Sequence, residues 1–199
     1  SNSIYRELFE SMSALISSPD DISKESIEKI KFSTKQARIG RTSNTIIVLE
    51  EINEDILKWT SSNDVKIYTL NDYIIRLTGL GNELENLALD DKHPGLTKKF
   101  QPVLNEELIS FYTFRYPDLH RLPIKTKFSN LGSREIEIFG KKIETNLYIE
   151  KSQKNLISWN FENFFWVDEY GDIVKSIQNF SPKHPEIHLL STKKYKKPE

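Results

Sequence analysis

The chain has 199 residues, of which 37% are hydrophobic and 29% charged, and this apolar content is enough to bury a core. Its 28 Lys and Arg against 29 Asp and Glu give a formal net charge of -1, so no overall field draws it to nucleic acid or to an anionic bilayer. The absence of cysteine excludes disulfides, thiolate metal sites and cysteine nucleophiles. We therefore expect a soluble single domain over residues 1–199 that needs no cofactor and binds no nucleic acid.

The first segment of the chain predicts an amphipathic helix. Apolar residues recur there at helical spacing, namely Ile4, Leu8, Met12, Leu15 and Ile16. A short second helical turn is predicted from Ser23, which stands in a capping position before Ser26. The chain starts at Ser1 without a methionine, which predicts that a preceding segment has been removed.

Strand-length segments rich in β-branched and aromatic residues follow, separated by polar turns. Asn71 and Asp72 both tolerate positive φ and predict a tight turn, and Gly140 predicts another. The stretch "NELENLAL", residues 82–89, predicts a short helix. The series predicts a mainly β fold of antiparallel meander sheets, arranged as a sandwich or an open half-barrel, with the N-terminal helix and short helices.

The stretch "DDKHPGLTKKFQP", residues 90–102, is polar and contains Pro94 and Gly95. It predicts a connection, and any subdivision of the domain into two sheets is expected there. His93 stands beside Pro94 and is interpreted as a loop residue.

The stretch "FFWVDEYGDIVKS", residues 164–176, predicts a strand, a turn and a returning strand. Alternation along the first strand places Phe164 and Trp166 on one face and Phe165 on the other. Gly171 relieves the cost of positive φ in the turn, and the side chain of Asp168 can accept hydrogen bonds from nearby backbone N–H groups. Asp168 is therefore interpreted as a turn-forming residue rather than a general acid.

Few residues form a recognisable catalytic or metal-binding pattern. His184 and His188 are four apart, but Pro185 disfavours a helix and a strand would separate them by about 13 Å. We interpret both as surface or edge-strand histidines. The acidic doublets are interpreted as solvated charge, because paired catalytic carboxylates need a spatial convergence that adjacency does not provide.

Two stretches resemble a known family. The sequence "NFFWVDEYGDIVKSIQNFSP" resembles the C-terminal signature of the YjbF/GfcB family of group 4 capsule polysaccharide lipoproteins, and "NTIIVLEEINEDILKWTSSNDVKIYTLNDYIIRLTGLGNEL" is similar to its upstream half. The clearest matches are Trp59, Gly79, Leu80, Trp166, Asp168, Gly171, Ser176 and Gln178. Tyr73 departs from the family pattern, in which an arginine is expected.

The resemblance implies a lipoprotein of a Gram-negative cell, cleaved and lipidated at a cysteine just before this sequence and held at the periplasmic face of the outer membrane. It implies a non-enzymatic role in capsule or exopolysaccharide assembly or export, with polysaccharide or export proteins as partners. The candidate ligand or partner surface comprises Trp59, Tyr73, Phe164, Trp166, Asp168 and Gln178. Two alternatives stay open: a polysaccharide-modifying enzyme that uses carboxylates such as Asp168 or Asp172, and a half-barrel that shelters an acyl chain.

Overall fold

A computed structural model of the protein describes residues 23–30, 32–116 and 118–193. The elements of these residues are α1 (Lys24–Lys29), β1 (Thr34–Ile39), β2 (Thr45–Asn53), β3 (Ile56–Thr60), β4 (Lys66–Leu70), β5 (Tyr73–Thr78), β6 (Leu84–Ala88), a 3₁₀ turn (Pro94–Leu96), β7 (Glu107–Phe114), β8 (Leu119–Ile138), β9 (Lys141–Ser152), β10 (Glu162–Val167), β11 (Ile173–Gln178) and β12 (Ile187–Lys193). The predicted N-terminal helix lies outside the described residues.

The short helix α1 forms where a second helical turn is predicted. The Ser23 hydroxyl accepts a hydrogen bond from the Ser26 N–H at 3.2 Å, which satisfies one of the free N–H groups at the helix start. Ile27 and Ile30 then pack against Val48 on the outer face of β2. No helix among the residues described here has the length and apolarity needed to cross a membrane.

The strands form one closed antiparallel barrel. Each strand pairs with its neighbours in the chain, and the barrel closes where β1 pairs with β12. The predicted mainly antiparallel β structure is confirmed, but a closed barrel replaces the predicted sandwich or open half-barrel. Arg38 and His188 face each other across the closing pair although they lie 150 positions apart, and local patterns in a sequence do not reveal such a distant contact.

The predicted tight turns are confirmed. Asn71 and Asp72 have φ values of 45° and 61° and join β4 to β5 in a two-residue hairpin loop. Phe139 and Gly140 have φ values of 49° and 75° and join β8 to β9 in the same way. Positive φ at both central residues matches the right-handed twist of the flanking strands.

The helix predicted over residues 82–89 is wrong, because this segment contains strand β6. A bulge between Leu84 and Asn86 shifts the register against β7. As a result Leu84 and Leu87, three residues apart, are both buried. A spacing of three is also typical of one face of a helix, so the bulge produces a helix-like pattern in a strand.

Each end of the barrel is covered by a connection between strands that buries aromatic side chains inside the barrel. In an antiparallel barrel successive connections alternate between the two ends, so the connection from β6 to β7 shares an end with the β4–β5 and β10–β11 turns. We call residues 90–102 of this connection the strap. It buries His93 and Phe100 completely, and β6 and β7 on either side of it are paired neighbours in the barrel. At the opposite end the β9–β10 connection buries Trp159 and Phe161.

Candidate functional site

The six candidate surface residues fall into separate environments. Trp59, Tyr73 and Gln178 are buried inside the barrel, with at most 2% of each exposed. Phe164 and Trp166 are half-buried on the outer face of β10. Asp168 lies in the β10–β11 turn, so the structure does not bring the six together on one surface.

Inside the barrel, Glu150 is the centre of a buried polar network. One carboxylate oxygen, Oε2, accepts hydrogen bonds from the Tyr73 hydroxyl at 2.8 Å and the Asn163 amide at 2.9 Å. The other, Oε1, lies 3.7 Å from Nε2 of His93. Nδ1 of His93 accepts the Gly95 N–H at 3.0 Å, which leaves Nε2 facing the carboxylate at a distance too long for a hydrogen bond.

This environment keeps Glu150 ionised. Burial raises the pKa of its carboxyl group, but the neighbouring His93 ring and the hydrogen bonds from Asn163 and Tyr73 outweigh burial and lower that pKa overall. Burial, reinforced by the neighbouring carboxylate, raises the pKa of the Tyr73 phenol well above its usual value. Tyr73 is therefore a hydrogen-bond donor to a charged partner, and charge-assisted bonds of this kind are among the strong ones.

Gln178 joins opposite walls of the barrel. Its strand β11 and strand β5 are six strands apart in either direction round the barrel. The Gln178 carbonyl accepts the Ile74 N–H at 2.9 Å, and its amide donates to the Asp72 carbonyl at 2.9 Å. Lys35 reaches the same turn and pairs with the Asp72 carboxylate at 2.9 Å. These contacts hold the β4–β5 turn inside the barrel.

Aromatic side chains fill the space beneath the strap. The ring of Phe100, from the strap, lies 4.9 Å from Phe165 and 5.9 Å from Phe128, measured between centroids. Phe165 also stacks on Tyr73 at 5.6 Å. An acyl chain would have to displace these rings, and the described strands form a closed barrel in place of the open half-barrel of that alternative.

Trp59 also makes contacts that stabilise the barrel interior. Its indole N–H donates to the Thr69 hydroxyl at 3.0 Å, and the Lys35 ammonium lies 4.9 Å from its ring centroid. A buried indole usually finds such a hydrogen-bond partner. Trp59, Tyr73 and Gln178 therefore contribute to the barrel interior.

The outer face of β10 carries the aromatic pair that alternation predicts. The Phe164 and Trp166 ring centroids are 6.4 Å apart with an angle of 37° between the rings. Trp166 faces Lys175 of β11 in the strand register, and the Lys175 ammonium lies 4.7 Å from the Trp166 centroid. Phe165, between the two, points inward and is fully buried. Phe164, Trp166 and Lys175 are named the outer aromatic face.

Asp168 forms the turn as its sequence context predicts. Its Oδ1 accepts the N–H groups of Tyr170 at 3.0 Å and Asp172 at 2.9 Å. Its own N–H donates to the Asp172 carbonyl at 3.0 Å, and Gly171 takes a φ of 84°. Four backbone and side-chain features thus agree on a turn-forming role.

Three of the four histidines occupy different settings. His188 lies on β12 near Arg38 at 3.1 Å and Glu186 at 3.2 Å, whereas the His184 ring stacks on Phe180 at 5.5 Å. Over the described ranges, no group of three His, Cys, Asp or Glu side chains is arranged to hold a metal ion. His93 lies in a connection as predicted, but its complete burial was not predicted.

The sequence did contain indirect signs of the buried network. The connection that includes His93 is long for a polar loop between paired strands, and such loops usually have a role of their own. Glu150 ends a run of apolar strand residues, Leu147 to Ile149. Neither sign identifies the partner of either residue, because the two lie on different elements.

Comparisons with known proteins add a family and a fold. A family model described as "Group 4 capsule polysaccharide lipoprotein gfcB, YjbF" matches residues 5–190. The "Uncharacterized lipoprotein GfcB" of Escherichia coli (strain K12) is 21% identical over 150 residues, which cover 74% of this chain and 69% of that protein. The crystal structure of the hypothetical lipoprotein YmcC from Escherichia coli (K12) has a TM-score of 0.81 at 17% identity, covering 98% of this chain and 95% of that one. At this identity the structural likeness shows a shared fold.

Proposed function

The chain belongs to the YjbF/GfcB family of group 4 capsule polysaccharide lipoproteins, and from this membership we propose that it is a non-enzymatic accessory protein of capsule or exopolysaccharide assembly or export. We place it at the periplasmic face of the outer membrane, attached through an N-terminal lipid. Membership supports a capsule-associated lipoprotein of the cell envelope. The binding role, the export role and the outer membrane are parts of the proposal.

We propose that the outer aromatic face contacts the polysaccharide. Phe164 and Trp166 point away from the core, while Phe165 of the same strand fills it. Flat apolar ring faces can pack against the C–H faces of sugar rings. This partly exposed aromatic pair on β10 is the observation that carries the proposal.

The alternative of a polysaccharide-modifying enzyme has less support from the geometry. A general acid must reach its substrate with a carboxyl group available for proton transfer. One oxygen of Asp168 is bonded to two N–H groups of its own turn, and Glu150 is 1% exposed beneath the strap. Asp168 thus stabilises its turn, and Glu150 stabilises the barrel interior.

Complementation in the native host tests the proposal. We expect deletion of the gene to reduce surface polysaccharide, the wild-type gene to restore it, and Trp166→Ala to restore it poorly at equal protein level. Tyr170→Ala is the matched control, because Tyr170 is a 64% exposed aromatic in the adjacent turn. Unchanged surface polysaccharide in the deletion strain, together with turnover of a glycan by the purified protein, would refute the proposal in favour of an enzyme.

A further inference from the structure

We propose that Trp166 and Lys175 form a subsite for an acidic sugar, one that carries a carboxylate. This inference rests on the proposed function, which it deepens by naming the class of sugar. It depends on the register of β10 and β11, on the position of the Lys175 ammonium and on the charges of the neighbouring strands.

The Lys175 ammonium is positioned by the Trp166 ring. The two residues face each other across the β10–β11 pair, and the ammonium lies 4.7 Å from the ring centroid. No carboxylate of the described residues lies within 4.0 Å of it, the limit for an ion pair. A contact between a cation and a partly exposed ring is weak, so Lys175 retains the capacity to pair with an anion.

A second cation, Arg38, lies farther along the same outer face of the barrel. In the strand register Phe164 faces Ile177 of β11, which faces His188 of β12, which faces Arg38 of β1. Glu186 is the acidic group beside Arg38, and it already lies 3.2 Å from Nε2 of His188. Arg38 therefore lies on the same outer face as Lys175, three strands away from Phe164 and on the same side of β10.

Two acidic residues of the β10–β11 turn lie near this charge in the sequence: Asp172 comes three positions before Lys175, and Asp168 comes two positions after Trp166. Asp168 is held by its own turn, where its Oδ1 accepts two N–H bonds. An anion at Lys175 would therefore contact an ammonium that lies on the apolar Trp166 ring. The nearby Asp168 carboxylate directs its Oδ1 towards the backbone of its own turn. Ion pairs on partly buried surfaces are stronger than fully exposed ones, because water screens them less.

An acidic sugar matches this arrangement better than a neutral one. Its ring offers an apolar C–H face for Trp166, and its carboxylate offers a partner for Lys175. Any sugar that stacks on this ring face must shift the ammonium, but only the acidic sugar then offers the ammonium an ionic partner. The two classes of sugar therefore respond differently to the removal of the Lys175 charge.

The experiment compares two forms of one glycan. The polysaccharide isolated from the native host is used as purified and after chemical reduction of its carboxylates to primary alcohols, which leaves the linkages unchanged. Calorimetry measures the affinity of each form for the wild type, for Lys175→Gln and for Lys125→Gln. Lys125 of β8 is the matched control. Its exposed ammonium pairs with Glu107 of β7 at 2.8 Å, and the substitution of Lys125 changes the net charge by the same amount as that of Lys175.

The expected result is a coupling between the carboxylates and Lys175. Reduction of the glycan should weaken binding to the wild type and to Lys125→Gln by about fivefold or more, which is the affinity change of a ~1 kcal/mol ion pair. Lys175→Gln should bind the native glycan more weakly than the wild type does, by the same factor. It should bind the reduced glycan as well as the wild type does.

The outcomes separate the two proposals. If the wild type binds both forms of the glycan equally and Trp166→Ala abolishes both, the proposed function stands and the acidic subsite is refuted. If Lys175→Gln loses the same factor for both forms, the lysine acts through Trp166 alone and the subsite is again refuted. If the folded wild type binds neither form, the proposed contact with polysaccharide itself fails.

Discussion

The substitution Tyr73→Phe isolates the contribution of one hydrogen bond to a buried charge. It removes the hydroxyl that donates to Glu150 at 2.8 Å, while the ring keeps its contacts with His93 at 4.4 Å and Phe165 at 5.6 Å. Hydrogen bonds to charged groups contribute about 1.5–3 kcal/mol to stability. We therefore expect the free energy of unfolding to fall by ~1.5–3 kcal/mol, which is a fall in Tm of about 3–12 °C for a chain of this size.

Urea unfolding followed by circular dichroism measures this effect. The matched control is Tyr170→Phe, which removes the same hydroxyl from a side chain that is 64% exposed. The control should stay within about 0.5 kcal/mol of the wild type, as is usual for surface substitutions. If Tyr73→Phe also stays within that range, the phenol does not support a buried carboxylate and the interpretation of the network is wrong.

Three further predictions concern the core, the strap and the effect of pH. Phe165→Ala should lower the free energy of unfolding by about 3–5 kcal/mol in urea titration, because the ring is completely buried; a loss below about 1 kcal/mol would contradict its place in the core. Gly171→Ala should lower the free energy of unfolding more than Gly81→Ala does in the same assay. Both glycines have positive φ, but only at Gly171 would an added Cβ lie 2.7 Å from the Lys99 side chain of the strap. Equal losses would show that the strap does not pack closely against this turn. The folded-state pKa of Glu150 is lowered, so the stability that its ionised form contributes is present above the unfolded pKa of about 4.3 and is lost as pH falls through the folded value. Glu150→Gln should therefore flatten the fall of Tm below about pH 4.3. An unchanged pH profile would argue against an ionised Glu150.

Local chemistry made several features of the fold predictable. Asn71 and Asp72 tolerate positive φ, and they form the two-residue turn that this property indicates. The alternation of β10 correctly separates Phe165 from the outward Phe164 and Trp166. Asp168 is a turn-forming residue for reasons visible within five positions of the chain. In each case the determining contacts are close in sequence.

The features that could not be predicted depend on distant residues. Closure of the barrel requires β1 to pair with β12, and no local pattern encodes that pairing. The polar network joins Glu150 of β9 to His93 of the strap, and Gln178 reaches Ile74 across the barrel. The bulge in β6 imitates a helical spacing. The six candidate surface residues were predicted as one set because a sequence does not show which face of each strand turns inward.

Binding of the host polysaccharide to the purified protein tests the central claim most directly. Calorimetry should show saturable binding by the wild type and by Tyr170→Ala, and loss of binding by Trp166→Ala at an unchanged Tm. Equal binding by all three proteins, or no binding by a folded wild type, would contradict the claim that the outer aromatic face contacts polysaccharide.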